Sequence, residues 1–293
     1  MLEQILWTAT VTPFTADGSA VDYPSLENCL RRQEKSGNGI VLMGSTGEGL
    51  SFTNKERREI AEFACGLNLQ TQLVIGVPSH NFYSALEWLD FCNSLPIQGY
   101  LLTTPIYTKP GVMGQTHWYE AMLDKAAHPA ILYNIPGRAA VRLHPEAVRN
   151  LRGHERFEAI KDSSGVVDSI VEYKTVAPEI AVYCGDDYMM SATAAEGSCG
   201  LISVIANAWP EATRRYVKHC LKGGKIPSRI WWHACKAMFT ASNPIPVKAL
   251  MQDMGIITSD TVRLPLSMED LPSRLPLMEY RDRIENWEAA GEL

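Results

Sequence analysis

Phe157-Glu158-Ala159-Ile160-Lys161-Asp162-Ser163-Ser164-Gly165 is a short, largely apolar run that ends on a lysine and passes into a turn. A run this short, bounded by serine and glycine, reads as a buried strand more readily than as a helix. The lysine then stands at a strand end. A lysine at such an end is placed to attack a carbonyl as its neutral amine. Taken alone, the stretch is explained better by a lysine that caps a strand and reaches for water. The segments on either side decide between the two.

Downstream, residues 168–176 read as a helix, 180–184 as a strand, the stretch past Met189 as a helix, 200–204 as a strand, and a helix runs through Leu221. Upstream the same alternation extends to the start of the chain. Residues 5–14 read as a strand, and Asp22 caps a helix to about Ser36 with Pro24 in its first turn. The continuous apolar run 40–43 suits a strand covered on both faces. Thr53 and Glu56 have capping-box spacing before Ile60, Phe63, Ala64 and Leu67 at helical intervals. Strand 73–77 follows, then a helix capped by Asn81, strand 100–103, a loop over 104–114, a helix to about Ala126, strand 130–133 and a helix near Pro145. Eight strand-then-helix units in roughly 220 residues predict an α/β chain folded as a closed (β/α)8 TIM barrel, not a doubly wound open sheet. The barrel catalytic domain is expected over 1–224. A C-terminal helical region is expected over 225–293, with helices at 230–240 and 246–254 and a last helix opened by Ser267-Met268-Glu269-Asp270.

Composition narrows the function classes. With 46% hydrophobic and 20% charged residues the chain is an ordinary globular sequence, and disorder is not expected. A net charge of −6 with dispersed lysines and arginines opposes a nucleic-acid partner. No basic-then-apolar leader opens the chain and no apolar run approaches membrane-spanning length, so a cytoplasmic enzyme without a membrane partner is expected. Seven cysteines without a CxxC pair read as buried thiols, and the seven histidines make no HExxH or other close pair, so no metal is expected.

In a barrel of this kind chemistry belongs where the strands end at their carboxyl side, because the βα loops gather there into one mouth. Reactive side chains fall at those ends. Ser45 and Thr46 follow strand two, Tyr107 follows strand four, Tyr133 ends strand five, Lys161 ends strand six, Gly185 and Asp186 follow strand seven, and Ile202 and Ser203 lie in strand eight. Singly, each has a plain structural reading: a core tyrosine, a tight glycine turn, aspartates 186 and 187 capping the next helix. Their convergence on one rim favours chemistry. A lysine with phenol and hydroxyl neighbours suits Schiff-base catalysis, in which the iminium of a keto acid lets the adjacent carbon become an enamine nucleophile. A tyrosine backed by a threonine can move the protons. The turn Gly44-Ser45-Thr46-Gly47 offers backbone N–H groups to a carboxylate, and Arg138 in the loop after Tyr133 could clamp a second one.

With those residues placed, the chain resembles the dihydrodipicolinate synthase family of pyruvate-dependent aldolases over nearly its whole length. The markers are Gly44-Ser45-Thr46-Gly47-Glu48, Tyr133-Asn134-Ile135-Pro136-Gly137-Arg138, Ile160-Lys161-Asp162, Cys184-Gly185-Asp186-Asp187, Gly200-Leu201-Ile202-Ser203, Asn243-Pro244-Ile245-Pro246-Val247-Lys248 and Arg263-Leu264-Pro265-Leu266. The resemblance implies an enzyme of lysine and diaminopimelate biosynthesis that joins pyruvate to L-aspartate 4-semialdehyde. It would need no dissociable cofactor beyond the imine on Lys161, and it would work as a homotetramer built as a dimer of dimers. It implies that Thr46, Tyr133 and Tyr107 relay protons, with Tyr107 reaching into a neighbouring subunit's site. Ser45 and Thr46 would hold the pyruvate carboxylate, Arg138 that of the semialdehyde, and Gly185 and Ile202 would offer backbone oxygens. Ser45 stands where the family commonly has threonine, a change that keeps the hydroxyl. Of the positions that bind inhibitory lysine in sensitive members, only Asn81 is retained. Asn54 and Arg57 replace histidines, Ala85 a glutamate and Ile106 a tyrosine, so weak or absent lysine inhibition is expected.

Two other readings stand beside this one. Related lyases for N-acetylneuraminate and keto-deoxy sugar acids share the lysine, the tyrosine and the turn, but usually lack an arginine at position 138. A phosphate-binding or catalytically silent barrel is opposed by the absence of a glycine-rich anion loop after strands seven and eight, and by the presence of every relay residue.

Overall fold

The computed structural model describes residues 2–78, 81–223 and 228–290. Eight parallel strands close in sequence order into one barrel: β1 Leu6–Ala9, β2 Gly39–Leu42, β3 Leu73–Val77, β4 Gly99–Thr103, β5 Ala130–Asn134, β6 Phe157–Asp162, β7 Ala181–Cys184 and β8 Gly200–Ser203, which pairs back onto β1. The helices are α1 Tyr23–Lys35, α2 Asn54–Gly66, α3 Phe82–Cys92, α4 Val112–Lys125, the single turn α5 Pro136–Ala139, α6 Pro145–Leu151, α7 Asp168–Val176, α8 Met190–Ala195, α9 Pro210–Leu221, α10 Ser228–Ala237, α11 Ile245–Asp253 and α12 Leu275–Ala289. The TIM barrel read from the sequence is the observed fold, with helices following it.

The strands are apolar on both faces, and their period of two sorts the residues. Ile40, Leu42, Leu73, Ile75, Tyr100, Leu102, Leu132 and Ile160 pack outward against the helices. Trp7, Val41, Val74, Leu101, Ile131, Tyr133, Ala159, Tyr183 and Ile202 form a separate cluster that fills the barrel's interior. Lys161 is two residues beyond Ala159 on β6, so it continues the inward row where the interior opens at the mouth. The helices start where their caps predict. Asp22 accepts the backbone N–H of Ser25, Asn81 that of Ser84, and Thr53 and Glu56 close a full capping box.

Three differences from the sequence reading stand out. Strand one ends at Ala9, short of residue 14, because the Asn207 side chain takes the N–H of Val11 that a ladder would have used. Arg138 is not in a loop but on the single helical turn α5. The last helix opens at Leu275. Ser267 caps only a 3-10 turn, Met268–Asp270, since Pro272 holds the preceding Leu271 in extended conformation. Among the described residues no helix is long and apolar enough to cross a membrane.

Candidate active site

Parallel register sets Tyr133 of β5 directly beside Lys161 of β6, with Tyr183 of β7 on the other side. Both members of the pair are 4% exposed, and the Lys161 Nζ lies 4.3 Å from the centre of the Tyr133 ring. The lysine therefore points into the barrel and not to bulk water. Among the described residues it has no hydrogen bond and no carboxylate within ion-pair distance. Gly185 gives this side chain its room: a Cβ there would meet Ser163 Oγ at 2.0 Å and Lys161 Cε at 2.9 Å. The next residue, Asp162, latches the strand end. Its carboxylate accepts Asn134 Nδ2 at 2.6 Å and Ser164 Oγ at 2.7 Å, and burial raises its pKa.

The turn after β2 carries Ser45 and Thr46, and it is built on unusual backbone. Met43 and Glu48, neither of them glycine, have φ of 56° and 55°, a region that costs about 1–3 kcal/mol per such residue. Gly49 must lack a side chain, because a Cβ there would lie 2.0 Å from the Met43 carbonyl oxygen. Thr12 and Arg57 of the barrel donate to its Gly47 and Gly49 carbonyls, and further support comes from beyond the barrel. Lys248 of α11 donates to Glu48 at 2.5 Å in an ion pair with both side chains buried, and to the Thr261 carbonyl at 2.9 Å. Burial outweighs the carboxylate and brings the Lys248 ammonium down to about 8. Arg263 donates its backbone N–H to the other Glu48 oxygen and pairs with Glu56 at 2.8 Å. Asn243 Nδ2 donates to Thr46 Oγ1 at 2.9 Å. Asn243, Lys248 and Arg263 are thus parts of the site. Their motifs were visible in the sequence, but nothing local said what they touch.

A cavity of about 360 Å³ opens over this floor, lined by Ser45, Glu48, Arg57, Tyr133, Arg138 and Leu266 among others. Arg138 is placed on its wall, its guanidinium donating to the Asn243 carbonyl oxygen at 2.9 Å. Ile202 is fully buried in the barrel interior beside Trp7. Tyr107 is not brought to Lys161 within the chain. It stands on the rim with φ 68° and is 90% exposed, its N–H donating to the Ala139 carbonyl. The two aspartates after β7 do not cap the following helix. The Asp187 carboxylate accepts the Ser203 hydroxyl and the Val204 N–H, tying β7 to β8. Asp186 accepts the Gly165 N–H at 3.1 Å, and burial lifts its pKa to about 6. Both had looked like caps because they precede a helix, but a buried acceptor goes to the nearest unpaired donor.

Fold and site together define a barrel enzyme with a buried amine and a phenol side by side at the open ends of its strands. The model of the dihydrodipicolinate synthetase family matches residues 2–279, and the chain belongs to that family; it is a lyase. It is 56% identical over 287 residues, covering 98% of both chains, to a 4-hydroxy-tetrahydrodipicolinate synthase of Wolbachia pipientis from Culex pipiens. It is 49% identical over 265 residues to one of Chlamydia pneumoniae, covering 90% of both. The crystal structure of the dihydrodipicolinate synthase of Thermotoga maritima (26% identity, TM-score 0.87, all of both chains) and the structure of the 4-hydroxy-tetrahydrodipicolinate synthase of Methylacidiphilum fumariolicum (25%, 0.88, covering 97% and 98%) share the fold.

Proposed function

We propose that the chain catalyses the 4-hydroxy-tetrahydrodipicolinate synthase reaction, condensing pyruvate with L-aspartate 4-semialdehyde, in lysine and diaminopimelate biosynthesis. The observation that carries this is Lys161, buried against the ring of Tyr133, which itself lines a cavity together with Ser45 and Arg138. The Nζ lone pair attacks the pyruvate carbonyl carbon, water leaves, and the iminium results. Loss of a methyl proton gives the enamine, whose carbon attacks the aldehyde. The amino group of the second substrate then displaces Lys161 and closes the ring.

In this reading Tyr133 and Thr46 deliver a proton to the departing oxygen and then take the methyl proton as the enamine forms, and the N–H groups of Ser45 and Thr46, unpaired among the described residues, take the pyruvate carboxylate. Arg138 takes the second carboxylate, and Gly185 and Ile202 face the substrates through their backbone. Tyr107, fully on the rim, would complete the relay of a neighbouring subunit in a homotetramer. The active unit is then the barrel, 1–224, together with the helical region 225–293, in the cytoplasm.

Borohydride reduction in the presence of pyruvate, followed by peptide mapping, is expected to place the adduct on Lys161. An unmodified Lys161 would overturn the reading. Arg138→Ala is expected to keep that adduct and raise KM for the semialdehyde at least about 100-fold, as loss of a charge-assisted pair should. Unchanged kinetics for that substrate would remove Arg138 from the site. Arg138 also favours the semialdehyde over the polyhydroxy chains of the sugar-acid lyases, and an N-acetylneuraminate assay with the same preparation should show no turnover.

A further inference from the structure

We infer that Asn243 is a positioning residue that fixes the direction in which Thr46 passes its proton; this deepens the pyruvate reading and rests on it. Thr46 is 2% exposed, and its hydroxyl has one proton to give. The Asn243 amide donates to Thr46 Oγ1 at 2.9 Å, which occupies an acceptor lone pair and leaves the hydroxyl proton for something else. Among the described residues that proton has no acceptor, so it is free for the relay that the pyruvate reading assigns to Thr46 and Tyr133. Among the described residues the amide's own carbonyl is buried without a partner, so the bond to Thr46 is the one hydrogen bond this side chain makes. Asn243 also meets Arg138, but only through its backbone oxygen, a contact that survives any side-chain change. One residue from beyond the barrel therefore touches both halves of the site by separable means.

Replacing the amide by a carboxylate of the same shape reverses the bond: Asn243→Asp can only accept, and it captures the Thr46 proton. The partial reaction to follow is exchange of the pyruvate methyl protons for solvent deuterium. It reads iminium-to-enamine conversion and needs no second substrate. Asn243→Asp is expected to slow this exchange about 100-fold and Asn243→Ala about tenfold, within the range of general acid–base effects. Asn243→Ser, whose hydroxyl ends about one bond short of Thr46 but cannot take its proton as a carboxylate would, should slow it no more than the alanine variant. The amount of Lys161 trapped by borohydride at saturating pyruvate, and KM for the semialdehyde, should hold within about twofold in all three. An aspartate variant that exchanges like the parent overturns the inference, and so does a serine variant as slow as the aspartate one. A higher KM with exchange intact also overturns it, since Asn243 would then bind substrate. Failure of the parent protein to trap pyruvate at Lys161 would instead overturn the function proposed above.

Discussion

The ion pair between Glu48 and Lys248 can be tested by removing one partner and then both. Lys248→Met leaves the Glu48 carboxylate buried with the Arg263 backbone N–H as its remaining donor, at a site where neither side chain meets solvent. Stranding a buried charge costs about 3–5 kcal/mol, and the surviving N–H places the expectation at the lower end of that range. An unfolding entropy of about 2.1 cal/mol/K per residue, over 293 residues, makes each degree of melting temperature worth about 0.6 kcal/mol. The variant should thus melt about 5 °C lower, measured by calorimetry at fixed protein concentration. Glu48→Gln with Lys248→Met removes both charges and should recover most of that loss, giving a coupling of about 2 kcal/mol in the double-mutant cycle. Because Glu48 is two residues from Thr46, the single variant should lose turnover as well as stability. A Lys248→Met protein within about 1 kcal/mol of the parent, or a double variant no better than the single, would refute the claim that this pair holds the turn.

The remaining expectations concern the rim. Asp186 has its pKa raised from 3.8 to about 6, so between those values the folded chain binds more protons than the unfolded one and stability falls as pH rises. Asp186→Asn removes the charge and keeps an acceptor for Gly165. It should raise the melting temperature at pH 7.5, by no more than the ~3 kcal/mol equivalent of that shift, and leave it unchanged at pH 4; a gain that is equal at both values would show that the carboxylate is not the cause. Tyr107→Phe should lower turnover about tenfold or more, and mixing it with a Lys161→Ala protein under subunit exchange should restore part of the activity if the tyrosine serves the neighbouring site. No recovery would confine Tyr107 to its own chain. Lysine should inhibit weakly or not at all. The Asn81 side-chain oxygen is already used to cap α3, Ala85 offers no carboxylate, and Arg57 is a buried cation engaged with the Gly49 carbonyl. Half-inhibition below millimolar lysine would contradict this.

Strained backbone collects at the mouth. Met43, Glu48, Tyr107 and Ala140 all have positive φ, and none is a glycine. Such conformations persist where surrounding contacts over-determine them. At the first turn those contacts include the Lys248 ammonium, the Arg263 N–H and the Asn243 amide from the region after the barrel, beside Thr12 and Arg57 of the barrel itself. The helical region is therefore part of what shapes the site, and shortening the chain ahead of residue 243 should abolish activity even with all eight strands in place.

How much of this could be read beforehand follows from which forces are local. Strand and helix periodicity is local, and the barrel came from it. The parallel pairing of β5 with β6 then brought Tyr133 beside Lys161, two residues 28 positions apart, because chain order makes these strands neighbours and both residues stand near their carboxyl ends. Caps at Asp22, Thr53 and Asn81 were legible for the same reason: each bond closes within three residues. The aspartates after β7 were misread because they also sit before a helix. Nothing local shows that β8 would bring Ser203 and the Val204 N–H within reach of Asp187. Thr46 and Asn243 lie 197 positions apart, and Glu48 and Lys248 lie 200 apart. A sequence shows that such residues are polar and sit in ordered motifs, but their pairing is decided only when burial leaves each with a single available partner, which is a property of the packed chain.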